Sequence, residues 1–222
     1  MRQIKKIEDF FKPFRPRAYK KGQIILHSGD VLTQFCYLHS GYIKIYNILD
    51  SGEERILVLL PKGEAFPLPA FMYRARYVLR YFYEALTDVK VSFLSRQKLA
   101  QTLEHNVPAL QVMLNYITYN ARILTTRLET FESKHAADKL RSLMPHLARF
   151  CGKLVRPKTY QIQLKITQQD MAAMVGLTRE TTSIEINKLE KKGLISYQKG
   201  KLLIHSNKFD SDFWNSYYIA AG

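Results

Sequence analysis

The N-terminal part of the chain alternates short apolar runs with glycines. Between about Phe14 and Leu94, the runs are rich in β-branched and aromatic residues, and glycines separate them. Four such runs are Gln23–Leu26, Phe35–Leu38, Tyr42–Tyr46 and Arg55–Leu60. Short runs of this composition bounded by turn residues are typical of β-strands. Their regular spacing predicts a closed or sandwiched antiparallel β structure.

The pattern then changes to that of a long helix, from about Pro108 to Phe131. Its apolar positions alternate four and three residues apart: Leu110, Leu114, Ile117, Ala121, Leu124, Leu128 and Phe131. A seam of this spacing over several heptads is characteristic of a coiled coil. The alternative is a helix packed on its own β domain, which usually shows a broader apolar stripe. The narrow seam favours a parallel two-stranded dimer.

The segment from Thr167 to Ile195 has the pattern of helix, tight turn, helix and hairpin. Thr167 is a candidate N-cap, and Asp170 three residues later completes a capping-box-like arrangement. Gly176 ends the first helix, because glycine adopts the left-handed C-cap conformation at little cost. The apolar face of that helix consists of Met171, Met174 and Val175.

The second helix of this pair starts after its candidate N-cap, Thr178, and ends at Gly193. Its predicted buried positions are Thr182, Ile186 and Leu189, and its predicted exposed positions near the start are Arg179, Glu180 and Ser183. A helix-turn-helix lays its second helix in the major groove of DNA, where its first residues contact the bases. The residues after Ile195 predict a two-stranded wing that turns at Lys199 and Gly200.

Three further segments flank these elements. We expect a helix from Ser133 to Cys151 with Ser133 as its N-cap, and a basic loop from Gly152 to Gln163. The chain ends in an aromatic tail, for which we expect a short helix packed on the protein. The tail contains Phe209, Phe213, Trp214, Tyr217 and Tyr218.

Charge narrows the class of partner. The 222 residues include 34 Lys and Arg against 19 Asp and Glu, a formal net charge of +15. Such a chain favours polyanions, with nucleic acid ahead of an acidic membrane surface. Cys36 and Cys151 form no CxxC pattern, which argues against a disulfide scaffold and a metal site. No signal peptide, membrane span or catalytic constellation stands out, so we expect a cytoplasmic protein that is not an enzyme.

The motifs described above resemble the CRP/FNR family of bacterial transcription regulators. Gly176–Thr181 is similar to the start of that family's recognition helix, and Leu189–Ile195 to its exit into the wing. Tyr19–Gly22, Ser28–Asp30 and Tyr37–Ile45 resemble the opening of its β-roll. The resemblance implies an α+β fold with an antiparallel, cyclic-nucleotide-binding-like β-roll over 1–107. A coiled-coil dimerisation helix would span 108–132, and a winged helix-turn-helix with the tail would span 133–222.

The resemblance also implies how double-stranded DNA would be bound. Arg179, Glu180 and Ser183 would read bases, and Thr178, Thr181 and Lys201 would hold phosphates. Ile184 stands where many members have an arginine, so we expect a palindromic site that departs from the family's half-site at one base step. A homodimer would bind it, and RNA polymerase is the further partner that an activator would need.

The predicted effector pocket departs from the family's cyclic-nucleotide sensors. Pro67 occupies the phosphate cassette, where proline cannot donate an amide proton, and Arg80 is followed by Tyr81 rather than Ser or Thr. We therefore expect no cofactor and weak or no cyclic-nucleotide binding. The candidate pocket residues are Phe66, Phe71, Tyr73, Arg80 and Tyr81.

Two alternatives to this interpretation stay open. In the first, the same fold is gated by a small apolar or anionic effector, or by haem. His27, His39, His105 and Cys36 could ligate its iron, although no spacing selects a pair of them. In the second, the chain is a module that binds nucleic acid without sequence preference.

Overall fold

The computed structural model describes residues 5–67 and 77–216. The chain divides into two compact units, one formed by residues 1–49 and 57–122 and the other by residues 50–56 and 123–222. The division falls inside the long helix, between Arg122 and Ile123. Within the described residues, none of the helices combines the length and the apolar character that crossing a membrane requires.

Among the residues that the structure describes, eight strands of the N-terminal half form two four-stranded sheets. They are β1 (Arg17–Tyr19), β2 (Ile24–Leu26), β3 (Gln34–Ser40), β4 (Tyr42–Ile48), β5 (Glu54–Pro61), β6 (Ala65–Phe66), β7 (Phe82–Ala85) and β8 (Val89–Ser95). One sheet has the order β1-β8-β3-β6 and the other the order β2-β7-β4-β5. The four apolar runs of the sequence all lie in strands of these sheets, which confirms the antiparallel β-roll.

Side chains from both sheets fill the roll with a single hydrophobic cluster. Phe35, Leu38, Ile43 and Leu94 are almost completely buried there, together with Phe11 from a short 3-10 helix region at Ile7–Phe10. Phe35 and its cross-strand partner Leu94 lie on one face of their sheet, whereas Leu38, three residues after Phe35, lies on the other, so both faces of β3 are covered. The roll therefore has its own core.

Two helices follow the roll, α1 (Arg96–Leu103) and α2 (Val107–Glu132). The amide of Ala109 donates to Asn106 Oδ1 at 3.1 Å, which satisfies one of the free N–H groups at the start of α2. The bounds of α2 confirm the long helix expected from the sequence.

One face of α2 packs on the roll. Ala109 and Met113 are buried in the hydrophobic cluster of the roll, and Val112, Tyr116 and Ile117 pack against it in part. Ile117, a member of the expected dimer seam, thus contacts its own domain.

Another face of α2 stays open in the single chain. Its exposed members include Val107, Leu110, Leu114, Leu124 and Leu128. Ala121 is also exposed, whereas the side chain of Phe131 lies outside the described part of the structure. Both interpretations of the helix therefore describe part of it, because it packs on its own domain and also presents an unburied leucine seam.

The C-terminal half contains a second sheet system with its own helices. Its elements are α3 (Ala136–Cys151), β9 (Gly152–Arg156), β10 (Thr159–Ile162), α4 (Gln168–Val175), α5 (Arg179–Lys191), β11 (Ile195–Gln198), β12 (Lys201–His205) and α6 (Ser211–Ser216). The strands form one antiparallel sheet of order β11-β12-β10-β9.

Two expectations for this half were wrong. The segment Gly152–Gln163 is not a basic loop, because residues 152–156 and 159–162 pair as a hairpin of the sheet. Its first strand lies at the sheet edge and is exposed along most of its length, so it lacks the apolar alternation that identifies a strand. Ser133 is not an N-cap, since α2 continues to Glu132 and α3 begins after His135.

The aromatic tail packs on this half of the chain. Trp214, which is 6% exposed, lies with its ring centroid 5.7 Å from that of Tyr160 and 5.1 Å from that of Phe209. The guanidinium of Arg141 lies over the ring of Phe213 at 4.9 Å. These contacts confirm the short packed helix, while Tyr217 and Tyr218 fall outside the described residues.

Candidate nucleic-acid interface

Local hydrogen bonds fix both ends of α4. The amide of Asp170 donates to Thr167 Oγ1 at 3.1 Å, and Asp170 Oδ2 accepts from the amide of Thr167 at 2.8 Å. This reciprocal pair is the capping box expected from the sequence. Gly176 ends the helix with φ 69° and ψ 46°, a left-handed conformation that disfavours residues with a Cβ atom. The turn into α5 therefore starts at a defined residue.

Thr178 caps the recognition helix α5. Its Oγ1 accepts from the amide of Thr181 at 3.2 Å and bonds to Thr181 Oγ1 at 3.0 Å. The cap sets where the helix begins, so it also sets where Arg179 and Glu180 project. Both caps follow from residue types within three positions of the helix start, and the sequence predicted both.

The inner face of α5 is buried. Thr182, Ile186 and Leu189 are the buried residues of α5, and Met171, Met174 and Val175 are buried on α4. All six positions match the predicted apolar faces. This packing fixes the rotation of α5 about its own axis, and hence the residues that it presents outward.

The outer face of α5 is polar at its start. Arg179 and Glu180 are exposed and Ser183 is partly exposed, so the three predicted base-reading residues lie on the first turn and a half of the helix. Further along, Lys188 Nζ bonds to Glu185 Oε1 at 2.6 Å. The charged residues Arg179 and Glu180 thus precede a helix segment in which Lys188 and Glu185 are paired with each other.

The wing is a tight hairpin. β11 and β12 pair with Gln198 opposite Lys201, and the two turn residues Lys199 and Gly200 have φ of 50° and 74°. Two consecutive positive φ values are characteristic of a type I′ turn, which suits the twist of a hairpin. The turn confirms the predicted wing, and it leaves the side chains of Lys199 and Lys201 exposed.

The candidate effector residues lie in different environments. Phe66 is buried in the core of the roll, where its ring stacks on that of Tyr83 with centroids 5.5 Å apart. Tyr81 packs against the same core in part, whereas Arg80 is exposed. Phe71 and Tyr73 lie outside the described residues. Of the candidate effector residues that the structure describes, Phe66 is therefore part of the core and Arg80 is a solvent-exposed cation.

A partly buried polar cluster that the sequence did not reveal joins α2 to the roll. Tyr116 Oη donates to Glu64 Oε2 at 2.6 Å and accepts from the amide of Ala65 at 2.7 Å. Burial, and then the negative charge of Glu64, raises the pKa of the Tyr116 hydroxyl. A second stripe on α2 marks this face, since Ala109, Met113 and Tyr116 are four and three residues apart. This second stripe is the sequence pattern from which the contact between α2 and the roll could have been predicted.

The candidate iron ligands do not form a cluster. In the described part of the chain, no group of three or more His, Cys, Asp and Glu side chains is arranged to hold a metal ion. His39 Nε2 bonds to Ser92 Oγ at 2.8 Å, and Cys36 is fully buried with its thiol pKa raised by that burial. A buried thiol of this kind stays protonated and is a poor ligand.

Comparison with known proteins gives two matching family models. The model described as a cyclic nucleotide-binding domain matches residues 16–106, and the one described as a Crp-like helix-turn-helix domain matches residues 142–208. The first match covers the β-roll, and the second covers most of α3 and extends through the wing.

Individual relatives span nearly the whole chain. The global nitrogen regulator of Synechocystis sp. is 25% identical over 191 residues, which are 85% of this chain and 84% of that protein. The cAMP-activated global transcriptional regulator CRP of Haemophilus influenzae is 24% identical over 186 residues, covering 84% and 81%. The structure of FixK2 from Bradyrhizobium japonicum has the same fold, with a TM-score of 0.73 at 17% identity over 88% of this chain and 93% of that one.

Both family models, the relatives and the fold agree on one assignment. The two matches lie in one chain, the β-roll before the helix-turn-helix. The chain belongs to the CRP/FNR family and is a transcription regulator with a helix-turn-helix DNA-binding domain.

Proposed function

We propose that the chain binds a palindromic promoter site as a homodimer, with one α5 helix in the major groove of each half-site. The observation that carries the proposal is the division of α5 into two faces. Thr182, Ile186 and Leu189 are buried, while Arg179 and Glu180 project from the capped start of the helix. A capped helix with a polar first turn and a buried opposite face is the geometry that major-groove reading requires.

The exposed side chains carry the chemistry for reading bases. Arg179 presents the planar donor fork that pairs with guanine O6 and N7, and Glu180 is an acceptor for the cytosine amine. The two act on the two bases of a G·C pair or of neighbouring pairs. Ser183 lies four residues after Arg179 on the helix and supplies a third polar contact.

The phosphate contacts come from the cap and the wing. The hydroxyls of Thr178 and Thr181 share one hydrogen bond, so one hydroxyl hydrogen of the pair remains for a phosphate oxygen. Lys201 is exposed on the wing and adds a mobile positive charge. Contacts of this kind position the protein without reading sequence.

We assign dimerisation to segment 108–132, on the basis of the exposed seam of α2. Leu110, Leu114, Leu124 and Leu128 are all exposed in the single chain. Burying such a row against a second copy removes apolar surface from water, at about 25 cal/mol per Å². A two-fold dimer would present its recognition helices about 34 Å apart, one helical turn of DNA.

We further propose that the chain binds DNA without cyclic nucleotide. Pro67 removes one amide donor from the segment where the family's sensors bind phosphate. The amide of Ala65 and the carboxylate of Glu64 are already bonded to Tyr116. An unidentified apolar or anionic effector remains the alternative for the same fold. RNA polymerase would be the further partner of an activating complex.

Selection of binding sites from random duplex DNA tests the proposal, with purified protein and no added ligand. A two-fold symmetric motif is the expected result. No enrichment by folded, dimeric protein would contradict effector-free binding. In that case the selection is repeated with cell-extract metabolites, and failure there as well would contradict sequence-specific recognition.

Two variants separate base reading from phosphate binding. Arg179→Ala should weaken binding by about 1–3 kcal/mol and relax one base position of each half-site. Lys201→Ala should instead weaken binding to all sequences alike and lower the salt dependence. If Arg179→Ala weakens binding to all sequences alike, Arg179 contacts only the DNA backbone. If the unaltered protein binds all duplexes alike, it is a non-specific nucleic-acid-binding module.

A further inference from the structure

The recognition helix exposes one large apolar side chain. Residues 179–191 contain three large aliphatic residues, of which Ile186 and Leu189 are buried and Ile184 is 56% exposed. A lone exposed isoleucine on a surface needs no explanation by itself. Its position on the helix is what gives Ile184 a role.

Ile184 lies at the centre of the exposed face of α5. At 100° per residue, it points about 160° away from both Thr182 and Ile186 and about 140° away from Leu189, on the side opposite the buried stripe. Glu180 lies four residues before it and Asn187 three residues after it, so the three side chains form one outward row. Glu180 and Asn187 are exposed as well. The middle side chain of this outward row is therefore aliphatic.

An aliphatic side chain can recognise one group of the major groove. The edges of guanine, cytosine and adenine present hydrogen-bond donors and acceptors there, and only thymine presents a methyl group. Isoleucine placed against a polar edge would strip water from that edge without supplying a hydrogen bond. Against the thymine methyl, it buries apolar surface on both partners.

We propose that Ile184 is a specificity-determining residue that selects thymine at one position of each half-site by contact with its C5-methyl group. The inference rests on the proposed function, because it requires α5 to lie in the major groove. It names the base that the centre of the helix face selects, which the polar residues of the first turn do not determine.

Replacing thymine by uracil tests the inference directly. Uracil keeps the Watson–Crick pairing of thymine and lacks only the methyl group. Each thymine of the selected site is replaced in turn, in both half-sites together, and the dissociation constant is measured with the full-length protein. At one position we expect affinity to fall about 4-fold for each methyl group, or roughly 16-fold for the pair.

The variant Ile184→Ala identifies the side chain responsible. It should bind the thymine site more weakly than the unaltered protein and lose the uracil penalty at that position, while penalties elsewhere remain. Asn187→Ala is the matched control from the same outward row, and it should keep the uracil penalty. Since both residues are exposed, the variants should fold, which an unchanged thermal midpoint verifies.

The possible results separate the two levels of the proposal. If the protein shows no site preference, the proposed function fails and the Ile184 contact fails with it. If specific binding is intact but no uracil penalty depends on Ile184, only the contact is wrong. The same conclusion follows if Ile184→Ala leaves every uracil penalty unchanged.

Discussion

Single side chains set the two ends of α4 and the start of the recognition helix α5. Thr167, Gly176 and Thr178 act within three residues of a helix end, through bonds of about 3 Å or a positive φ. Such interactions depend on residue type and short spacing alone, which is why the sequence predicts them. Glu64 and Tyr116 are 52 residues apart, and no local rule brings the two together.

Thr178, the N-cap of α5, and Thr182 within the helix should respond in opposite ways to the same substitution. Thr182 is 0% exposed, and its hydroxyl has no hydrogen-bond partner within the described structure. Thr182→Val removes this unsatisfied group, so the free energy of unfolding should rise by about 1 kcal/mol. Thr178→Val removes the N-cap and should lower it by about 0.5–2 kcal/mol. Urea unfolding of both variants measures the difference, and destabilisation by Thr182→Val would show that the hydroxyl has a partner.

His39 should make stability depend on pH. Ser92 Oγ donates to the carbonyl of Phe14 at 3.0 Å, so the 2.8 Å bond from His39 Nε2 places a proton on that nitrogen. Burial lowers the pKa of His39 from its ordinary value of 6.5. At pH values between the pKa of His39 in the folded chain and its higher pKa in the unfolded chain, the unfolded chain binds more protons. Stability is therefore lost as the pH falls below about 6.5.

The variant His39→Gln isolates this contribution, because glutamine keeps an N–H donor but does not titrate. Urea unfolding is measured from pH 8 down to pH 5 for both proteins. The variant should lose less stability over the acid part of this range. Parallel curves would mean that His39 has the same pKa in the folded and unfolded chains.

At the scale of elements, α2 carries two faces with different surroundings. Met113 is 2% exposed and packs in the roll, whereas the next residue, Leu114, is 62% exposed. The sequence predicted the exposed seam through its heptad spacing. It did not predict the packed stripe. Either of two narrow apolar stripes gives a helix the spacing of a coiled coil, so the spacing does not tell which stripe packs on the chain's own domain.

Substitution of these neighbouring residues should separate folding from assembly. Met113→Ala leaves a cavity in the core of the roll and should lower the free energy of unfolding by about 2–5 kcal/mol. Leu114→Glu should leave the roll folded and shift the protein from dimer to monomer, since it places a charge in the seam. Chemical unfolding and sedimentation equilibrium measure the two effects. A stable dimer of the Leu114→Glu variant would exclude this seam as the interface.

Strands were predicted where apolar alternation is strong and missed where it is weak. β3, β4 and β5 follow from their apolar runs. The hairpin β9–β10 was missed, because edge position lets Lys153 and Arg156 replace the apolar residues of an inner strand. The identity of a strand at the sheet edge depends on its neighbour, and a linear pattern contains no information on that pairing.

At the scale of the whole molecule, the β-roll matches the cyclic nucleotide-binding model, while its sequence departs at the phosphate cassette. We expect calorimetric titration of the full chain with cyclic AMP and cyclic GMP to give no binding at micromolar concentrations. DNA affinity should also stay unchanged when either nucleotide is added. Saturable heat with micromolar affinity would contradict this prediction.

For the proposed homodimer, the division of α2 into a packed face and an exposed face has a consequence for gene control. The packed face belongs to the folding of one chain, so each copy can be complete before it meets another. Where the free chain is mostly monomeric, occupancy of a two-fold site rises with the square of its concentration. The cellular abundance of the regulator would then act as a signal in its own right, and modest changes in its synthesis would switch promoters steeply.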